Sequence, residues 1–310
     1  MTILVCGSMA YDTIMVFPDR FQKHILADRI HILNVSFLVP EMRREFGGTA
    51  GNIAYNLKLL GEEPQVMATV GHDFGPYEAR LDSQGISRKH IRRLDNQFTG
   101  QAFITTDVDD NQITAFHPGA MSYAHLNRIA DAPGARLAIV SPDGRQGMVE
   151  HARDLARAKV RYIFDPGQGL PMFEGPDLLS MMDGAAALAV NDYEARVVEQ
   201  KTGRTVEQLA ATMEAVVVTR GADGSSVYAQ GRRIDIPVVA SEAVVDPTGC
   251  GDAYRAGLLY GMARNWKWEE SARLASLMGS IKIAHRGGQN HQPSREVIAT
   301  RLRQEFAQAL

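Results

Sequence analysis

Three short segments of this chain combine glycines, carboxylates and hydroxyls at spacings that suit chemistry on an anion. The first is DPTGCGDAYRAG, Asp246–Gly257, which opens a run of helical character. Gly249 and Gly251 let consecutive backbone N–H groups approach a ligand without Cβ interference. A helix start adds about half a positive charge, so this turn, with Cys250 between its glycines, is a ready anion site. Asp252 falls in the first helical turn, where the dipole favours the ionised carboxylate. An ionised acid beside an anion hole can take a proton from a hydroxyl. The hole then neutralises charge developing on a transferred phosphoryl group. The same residues also read as a plain glycine turn whose acid satisfies the helix start. The second segment, NDYE, Asn191–Glu194, follows an apolar run and has the spacing of a capping box. The third, TRGADG, Thr219–Gly224, also reads as a glycine turn leading into a hairpin.

The commoner phosphate loops are absent. No Gly-Lys pair exists, so GxxxxGK(S/T) fails, and Tyr254 stands where the third glycine of GxGxxG belongs. Neither GxSxG nor HExxH occurs. Thirty-three basic against 36 acidic residues give a net charge of −3, which argues against nucleic-acid and membrane partners. Cys6 and Cys250 have no ligand spacing, which points to a reducing compartment and no structural zinc. The N-terminus does not read as a signal peptide and no 18 apolar residues run together, so a cytoplasmic protein is expected.

These segments need a scaffold. Apolar runs at Ile3–Cys6, Val66–Val70, Leu137–Val140, Val160–Phe164, Ala186–Val190 and Val216–Thr219 read as short buried strands. Between several of them lie helical stretches: Thr49–Leu60, Met148–Ala158 and Asp192–Lys201. Alternation of this kind predicts an α/β fold with a mainly parallel central sheet covered by helices on both faces, three layers in all. Residues about 12–46 and 95–120 break the rhythm by alternating polar and apolar side chains. They are expected to form antiparallel, half-exposed strands, a small sheet placed as a lid over a site. A hairpin is expected at Ser226–Ala229 with Arg232–Ile236. Helices are expected at Gly249–Arg264, Trp268–His285 and Ser294–Ala309. With 310 residues and 45% hydrophobic content, one domain over 1–310 accounts for the whole chain.

DPTGCGDAYRAG resembles the C-terminal signature of the ribokinase-like (PfkB) carbohydrate and nucleoside kinases. GGTAGNIAYNL, Gly47–Leu57, resembles their N-terminal signature. The resemblance spans essentially the whole chain. It implies a ribokinase-like fold with a β lid and transfer of the γ-phosphoryl of ATP to a hydroxymethyl oxygen. Asp252 would be the general base, with Gly249, Cys250 and Gly251 as the anion hole. The chain departs from the usual signature at Pro247, Cys250 and Tyr254, and Cys250 puts a thiol near the phosphates. By the same resemblance Asn191 and Glu194 form the motif whose glutamate organises Mg²⁺ through water. One carboxylate suffices for that, because magnesium keeps most of its waters. Thr219, Gly221 and Gly224 would lie along the ATP, with adenine near Ala275, Gly279 and Ile283. Asp246, Thr248 and the segment Ala284–Gly288 match a monovalent-cation loop, for K⁺.

Asp12 matches the family's acceptor-binding aspartate; otherwise it is a polar turn residue. Gly47 and Gly48 suit close sugar approach and a hinge. Asn52 resembles the residue that reads another sugar hydroxyl, or is simply a polar helix position. Phe98, Phe103, Phe116 and Met121 supply either an apolar slot for a base or the core of the lid. FHPGAMSY, Phe116–Tyr123, and DPGQ, Asp165–Gln168, resemble the nucleoside-kinase branch of the family. A sugar phosphate would want a cationic clamp, for which only Arg43 and Arg44 stand ready. The expected acceptor is therefore a nucleoside, adenosine or a related purine riboside, bound with ATP by a monomer or homodimer. A ribokinase- or fructokinase-like sugar kinase is the alternative within the class, and a catalytically silent nucleoside or sugar sensor the alternative outside it.

Overall fold

The apolar runs become strands because each can bury both of its faces. Residues 2–25, 34–109 and 111–310 are described by the computed structural model. The strands are β1 (Ile3–Cys6), β2 (Ala10–Val16), β3 (Glu41–Gly47), β4 (Pro64–Gly71), β5 (Ser87–Leu94), β6 (Gly100–Thr106), β7 (Gln112–His117), β8 (Leu137–Val140), β9 (Arg161–Phe164), β10 (Ala187–Asn191), β11 (Ala215–Thr219), β12 (Ser225–Ala229) and β13 (Arg232–Ile236). The helices are α1 (Thr49–Leu59), α2 (Gly75–Gln84), α3 (Arg145–Arg157), α4 (Gly175–Met182), α5 (Asp192–Thr202), α6 (Val206–Ala210), α7 (Cys250–Ala263), α8 (Trp268–Ile283) and α9 (Arg295–Phe306).

The larger sheet has the order β13-β12-β11-β10-β9-β8-β1-β4-β5. It is parallel from β11 across to β5 and antiparallel only through the terminal hairpin. Successive side chains point to opposite faces of a strand. In β1, Ile3 and Val5 join Ile53, Leu57, Leu258 and Ala275 of α1, α7 and α8 in one core. Leu4 and Cys6 join Met148, Leu155, Leu178 and Val198 of α3, α4 and α5 in the other. A third cluster of Tyr260, Leu274, Met278, Ile298 and Leu302 packs α7, α8 and α9 together. This is the expected three-layer α/β architecture, with helices on both faces of a mainly parallel sheet.

The second sheet has the order β3-β2-β6-β7. Its pairing differs from the expectation of antiparallel strands. β2 pairs with β3 and β6 with β7 antiparallel, but β2 and β6 run parallel in register Asp12↔Ala102. The reason is topological, since β2 and β6 are separated by an excursion through the main sheet rather than by a hairpin turn. Part of the first lid stretch, residues 26–33, lies outside the described residues. β5 and α2 had no strong signal. In β5 the run SRKHIRRL is mostly charged, as befits an edge strand with a solvated face.

Candidate active site

In a doubly wound sheet ligands bind beyond the carboxyl ends of the strands, where the crossovers leave helix starts pointing into a crevice. The carboxyl ends of β9, β10 and β11 deliver Asp165, Asn191 and Thr219 there. Gly249 caps α7 with φ +78°, a left-handed conformation that glycine adopts without strain. A Cβ at Gly249 would also come within 3.0 Å of Gly288 Cα. The amide of Cys250 donates to Pro247 O at 3.1 Å and closes the turn. Of the three amides expected to form an anion hole, that of Cys250 is thus engaged, whereas those of Gly249 and Gly251, and that of Asp252 beside them, have no backbone partner among the described residues.

Asp252 is joined to Gly47, at the end of β3, by a buried relay. Asn52 Nδ2, from α1, donates to Asp252 Oδ2 at 2.8 Å. Gln289 Nε2 donates to Asn52 Oδ1 at 3.1 Å and to Tyr77 Oη at 2.6 Å. Tyr77 Oη in turn donates to Gly47 O at 2.9 Å. Asp12, on β2, lies directly against Gly47, where a Cβ would sit 2.4 Å from Asp12 Oδ2. Gly48 has φ +83°, and a Cβ there would meet backbone atoms of Ser8, Met9 and Ala10 at 2.6 Å. The structure thus brings Asp12, Gly47, Gly48, Asn52 and Asp252 to one place. Gly47→Ala is expected to push the Asp12 carboxylate aside. The outcome to measure is a loss of about tenfold in the affinity of a ligand that Asp12 holds, the cost of roughly one displaced charge-assisted hydrogen bond.

Both carboxylates titrate high. Burial pushes Asp252 up to about 7, against the Asn52 hydrogen bond that favours ionisation, with Asp165 and Asp12 adding repulsion and Arg255 opposing it. The helix dipole therefore does not secure an ionised base at low pH, as the sequence had suggested. Burial likewise pushes Asp12 to about 6, helped by the nearby Asp246 and Glu45. The Cys250 thiol is raised to about 11 by burial, so it stays protonated and a poor nucleophile.

Two buried cations went unread in the sequence. Arg255, one turn beyond Asp252, donates from Nε to Asp165 Oδ2 at 3.0 Å and from Nη2 to Asp165 Oδ1 at 3.2 Å and Ala189 O at 3.3 Å. Lys282 of α8 is buried completely. Each is a lone charge inside an otherwise apolar helical run, AYRAGLL and LMGSIKI. That was the available signal.

Asn191 and Glu194 make the capping box at α5. Asn191 Oδ1 accepts from Glu194 N at 2.7 Å, and Glu194 Oε2 accepts from Asn191 N at 2.8 Å. Burial raises the pKa of Glu194, with Asp165 repelling it and Arg255 opposing. Its second oxygen, Oε1, accepts no hydrogen bond among the described residues, an arrangement that fits magnesium held through water. Among the described residues no group of three or more His, Cys, Asp or Glu could hold a metal ion directly. The cation loop is different. Asp246 Oδ1 accepts from Thr248 N at 2.9 Å, Oδ2 from Gly287 N at 2.8 Å, and its carbonyl from Lys282 Nζ at 2.7 Å. Gly288 is packed so that a Cβ would meet Asn52 Oδ1 at 2.4 Å. Each of the three Asp246 oxygens thus already accepts a hydrogen bond from within the chain, the carbonyl from an ammonium.

Other expected residues scatter. Ladder neighbours project to the same side of a sheet, so the registers Asp12↔Ala102 and Ala102↔Phe116 put Phe116 on the face of Asp12. Phe103, paired with Thr13 and Ala115, projects from the opposite face and cannot line the same pocket. Phe103 and Phe116 are both exposed, so neither is lid core. The carbonyl of Met121 packs close to Gly144, and Gln168 is exposed on the turn after Asp165. Thr219 Oγ1 reaches Val190 O at 3.4 Å. Gly221 has open space where a Cβ would go, whereas Gly224, φ +78°, is needed for packing, since a Cβ would meet Ile236 O at 2.2 Å. Gly279 has Cys250 O nearby at 3.7 Å. Ala275 is fully buried against Gly257 and so cannot face a nucleotide.

A doubly wound body with a small second sheet, and a carboxylate beside open helix-start amides, suits transfer of a phosphoryl group to an alcohol. Residues 8–295 match the model of the pfkB family carbohydrate kinase, and the chain belongs to that family. It is 50% identical to the nucleoside kinase of Burkholderia thailandensis, whose structure in complex with inosine superposes with a TM-score of 0.91 over 99% of each chain. A second structure of that protein is a complex with ADP-inosine, with 51% identity and a TM-score of 0.88 over 99% of this chain and 97% of that one. The nucleoside kinase of Methanocaldococcus jannaschii is 30% identical over 277 residues, 87% of this chain and 89% of its own length.

Proposed function

We propose that the chain is a nucleoside kinase that transfers the γ-phosphoryl group of ATP to the 5′-hydroxyl of a purine nucleoside, adenosine or inosine. The observation that carries it is Asp252, whose carboxylate stands beside the open amides of Gly251 and Asp252 and is tied through Asn52 to the Asp12–Gly47 side. In this reading Asp12 accepts hydrogen bonds from the ribose hydroxyls, Gly47 and Gly48 let the sugar approach the backbone, and the amide of Asn52 holds both sugar and base. The second sheet covers the acceptor, with Phe116 on the nucleobase. Asp252 takes the proton of the 5′-hydroxyl as its oxygen attacks. The α7 amides hold the charge that develops on the phosphoryl oxygens. Magnesium bound with ATP would neutralise phosphate charge, and Glu194 would hold one of its waters. Thr219 and Gly221 border the nucleotide.

A nucleoside is favoured over a sugar phosphate because the two candidate cations, Arg43 and Arg44, each face a carboxylate. Arg43 Nε faces Glu45 at 3.5 Å, while Arg44 lies 3.6 Å over the Tyr11 ring and reaches Asp73 at 3.6 Å. The Burkholderia relative's complex with inosine supports the same choice. The test is release of ADP from MgATP across nucleosides and free sugars. Turnover with adenosine or inosine is expected; turnover with ribose or fructose alone would make this a sugar kinase, and silence on every acceptor a sensor. Asp12→Ala is expected to raise nucleoside KM by about 10²-fold, the loss of roughly two hydrogen bonds to a charged group, with kcat for bound substrate less affected. An unchanged KM would place the ribose elsewhere.

A further inference from the structure

Lys282 is the only fully buried lysine among the described residues, 0% exposed in the last turn of α8. It has no carboxylate at ion-pair distance among the described residues. Its Nζ instead donates to two main-chain carbonyls, Asp246 O at 2.7 Å and His285 O at 2.9 Å. A buried charge is costly unless it is compensated, and here the compensation is peptide dipoles plus the nearby carboxylates. Burial lowers the pKa of Lys282, and Cys250, Asp246 and Asp252 work against that.

The two carbonyls belong to the segments that build the anion site. Asp246 opens the turn that ends at Gly251. His285 opens the run in which Gly287 N bonds the Asp246 carboxylate and Gly288 packs on Gly249. Peptide carbonyls converging on one compact cation are the chemistry of a monovalent-cation site. We infer that the Lys282 ammonium is a built-in monovalent cation: it joins the Asp246–Gly251 turn to residues 284–288 and makes turnover independent of K⁺. The inference rests on the kinase reading. Lys282 is a positioning residue, because it touches the carbonyls of the anion turn and not the substrate. A cation carried on the chain is always in place, whereas a dissolved ion must be captured and ordered at each binding event.

Cation dependence of the wild type and two variants decide it. In wild-type protein, turnover with tetramethylammonium as the only monovalent salt is expected within about twofold of turnover in KCl. Melting temperatures are expected to be equal in the two salts, and crystals soaked in thallium(I) acetate are expected to show no anomalous peak at the Asp246 and His285 carbonyls. Lys282→Met keeps the aliphatic stem but removes the charge. It is expected to lower kcat by roughly 10- to 100-fold, as for loss of an outer support of a catalytic group, with nucleoside KM nearly unchanged. Lys282→Ala is expected to recover at least about tenfold of its loss with K⁺, ammonium or propylammonium and to take up thallium. The inference is overturned if wild-type turnover needs K⁺, if K⁺ alone raises its Tm, or if thallium binds at these carbonyls in wild type. It is also overturned if Lys282→Met is fully active, or if folded Lys282→Ala responds to no cation. Should no acceptor be phosphorylated, the kinase reading fails by itself, and the thallium and Tm measurements still decide the inference about Lys282.

Discussion

Asp252→Asn is expected to lower kcat by about 10²–10⁴-fold while nucleoside affinity, measured calorimetrically, stays within a few-fold of wild type. The amide is isosteric and can still meet Asn52, so the relay from Gly47 through Tyr77 and Gln289 keeps its geometry. Only the proton acceptor is lost. Wild-type kcat/KM is expected to rise with pH through about 7, where Asp252 ionises in the free enzyme. The neutral form predominates below that pH, and the Asn variant loses this inflection. Turnover like that of wild type in Asp252→Asn would remove Asp252 from the mechanism. Stability must move the other way. The folded-state pKa of about 7 lies above the unfolded value of 3.8, so the folded protein binds more protons between them. The stability this group contributes is complete below 3.8 and is lost as pH rises through 7. Above pH 7 the Asn variant is therefore expected to melt higher than wild type. A catalytic carboxylate is held buried at a cost in stability.

Arg255→Met is expected to carry the largest stability loss of any single change near the site, about 3–5 kcal/mol, because it strands Asp165 as an unpaired buried charge. The pair is almost wholly out of water, with side chains 6% and 5% exposed. Nothing nearby replaces the guanidinium. Glu194 and Asp252 both feel it, so its removal takes an attraction away from both carboxylates and leaves the repulsion from Asp165 unopposed. Arg255→Met combined with Asp165→Asn should regain most of the stability, since the orphaned charge is gone. Denaturant midpoints for the four-member cycle give the coupling directly. A single variant as stable as wild type would mean that solvent reaches Asp165. The pH profile of the double variant is a further readout, because Asp165 and Arg255 act on the titration of Asp252 in opposite directions.

Much of the scaffold was legible because its signals are local. Ile3–Cys6 and Leu137–Val140 appear as strands with the expected bounds, since short apolar runs between turns have few other ways to be buried. The hairpin and the three C-terminal helices follow the same logic. β5 was not legible, because an edge strand such as SRKHIRRL shows water to one side and loses the apolar pattern. The parallel pairing of β2 with β6 was also hidden. It depends on where the chain returns after crossing the main sheet, which no local pattern records.

The site divides along the same line. Residue types and spacing alone singled out the glycine turn with its acid and the Asn191–Glu194 box, because helix starts have strong local requirements, whereas the Gly47–Gly48 pair came from the resemblance to the family signature. Tertiary structure alone decided which of those parts meet and in what charge state. It set Asn52 on Asp252 across 200 residues of chain, turned Phe103 away from Asp12, and raised Asp252 by burial. It also placed the ammonium of Lys282 on the carbonyls of Asp246 and His285. Contacts between distant segments and the loss of solvent around a charge are properties of packing, and neither is written in the neighbours of a residue along the chain.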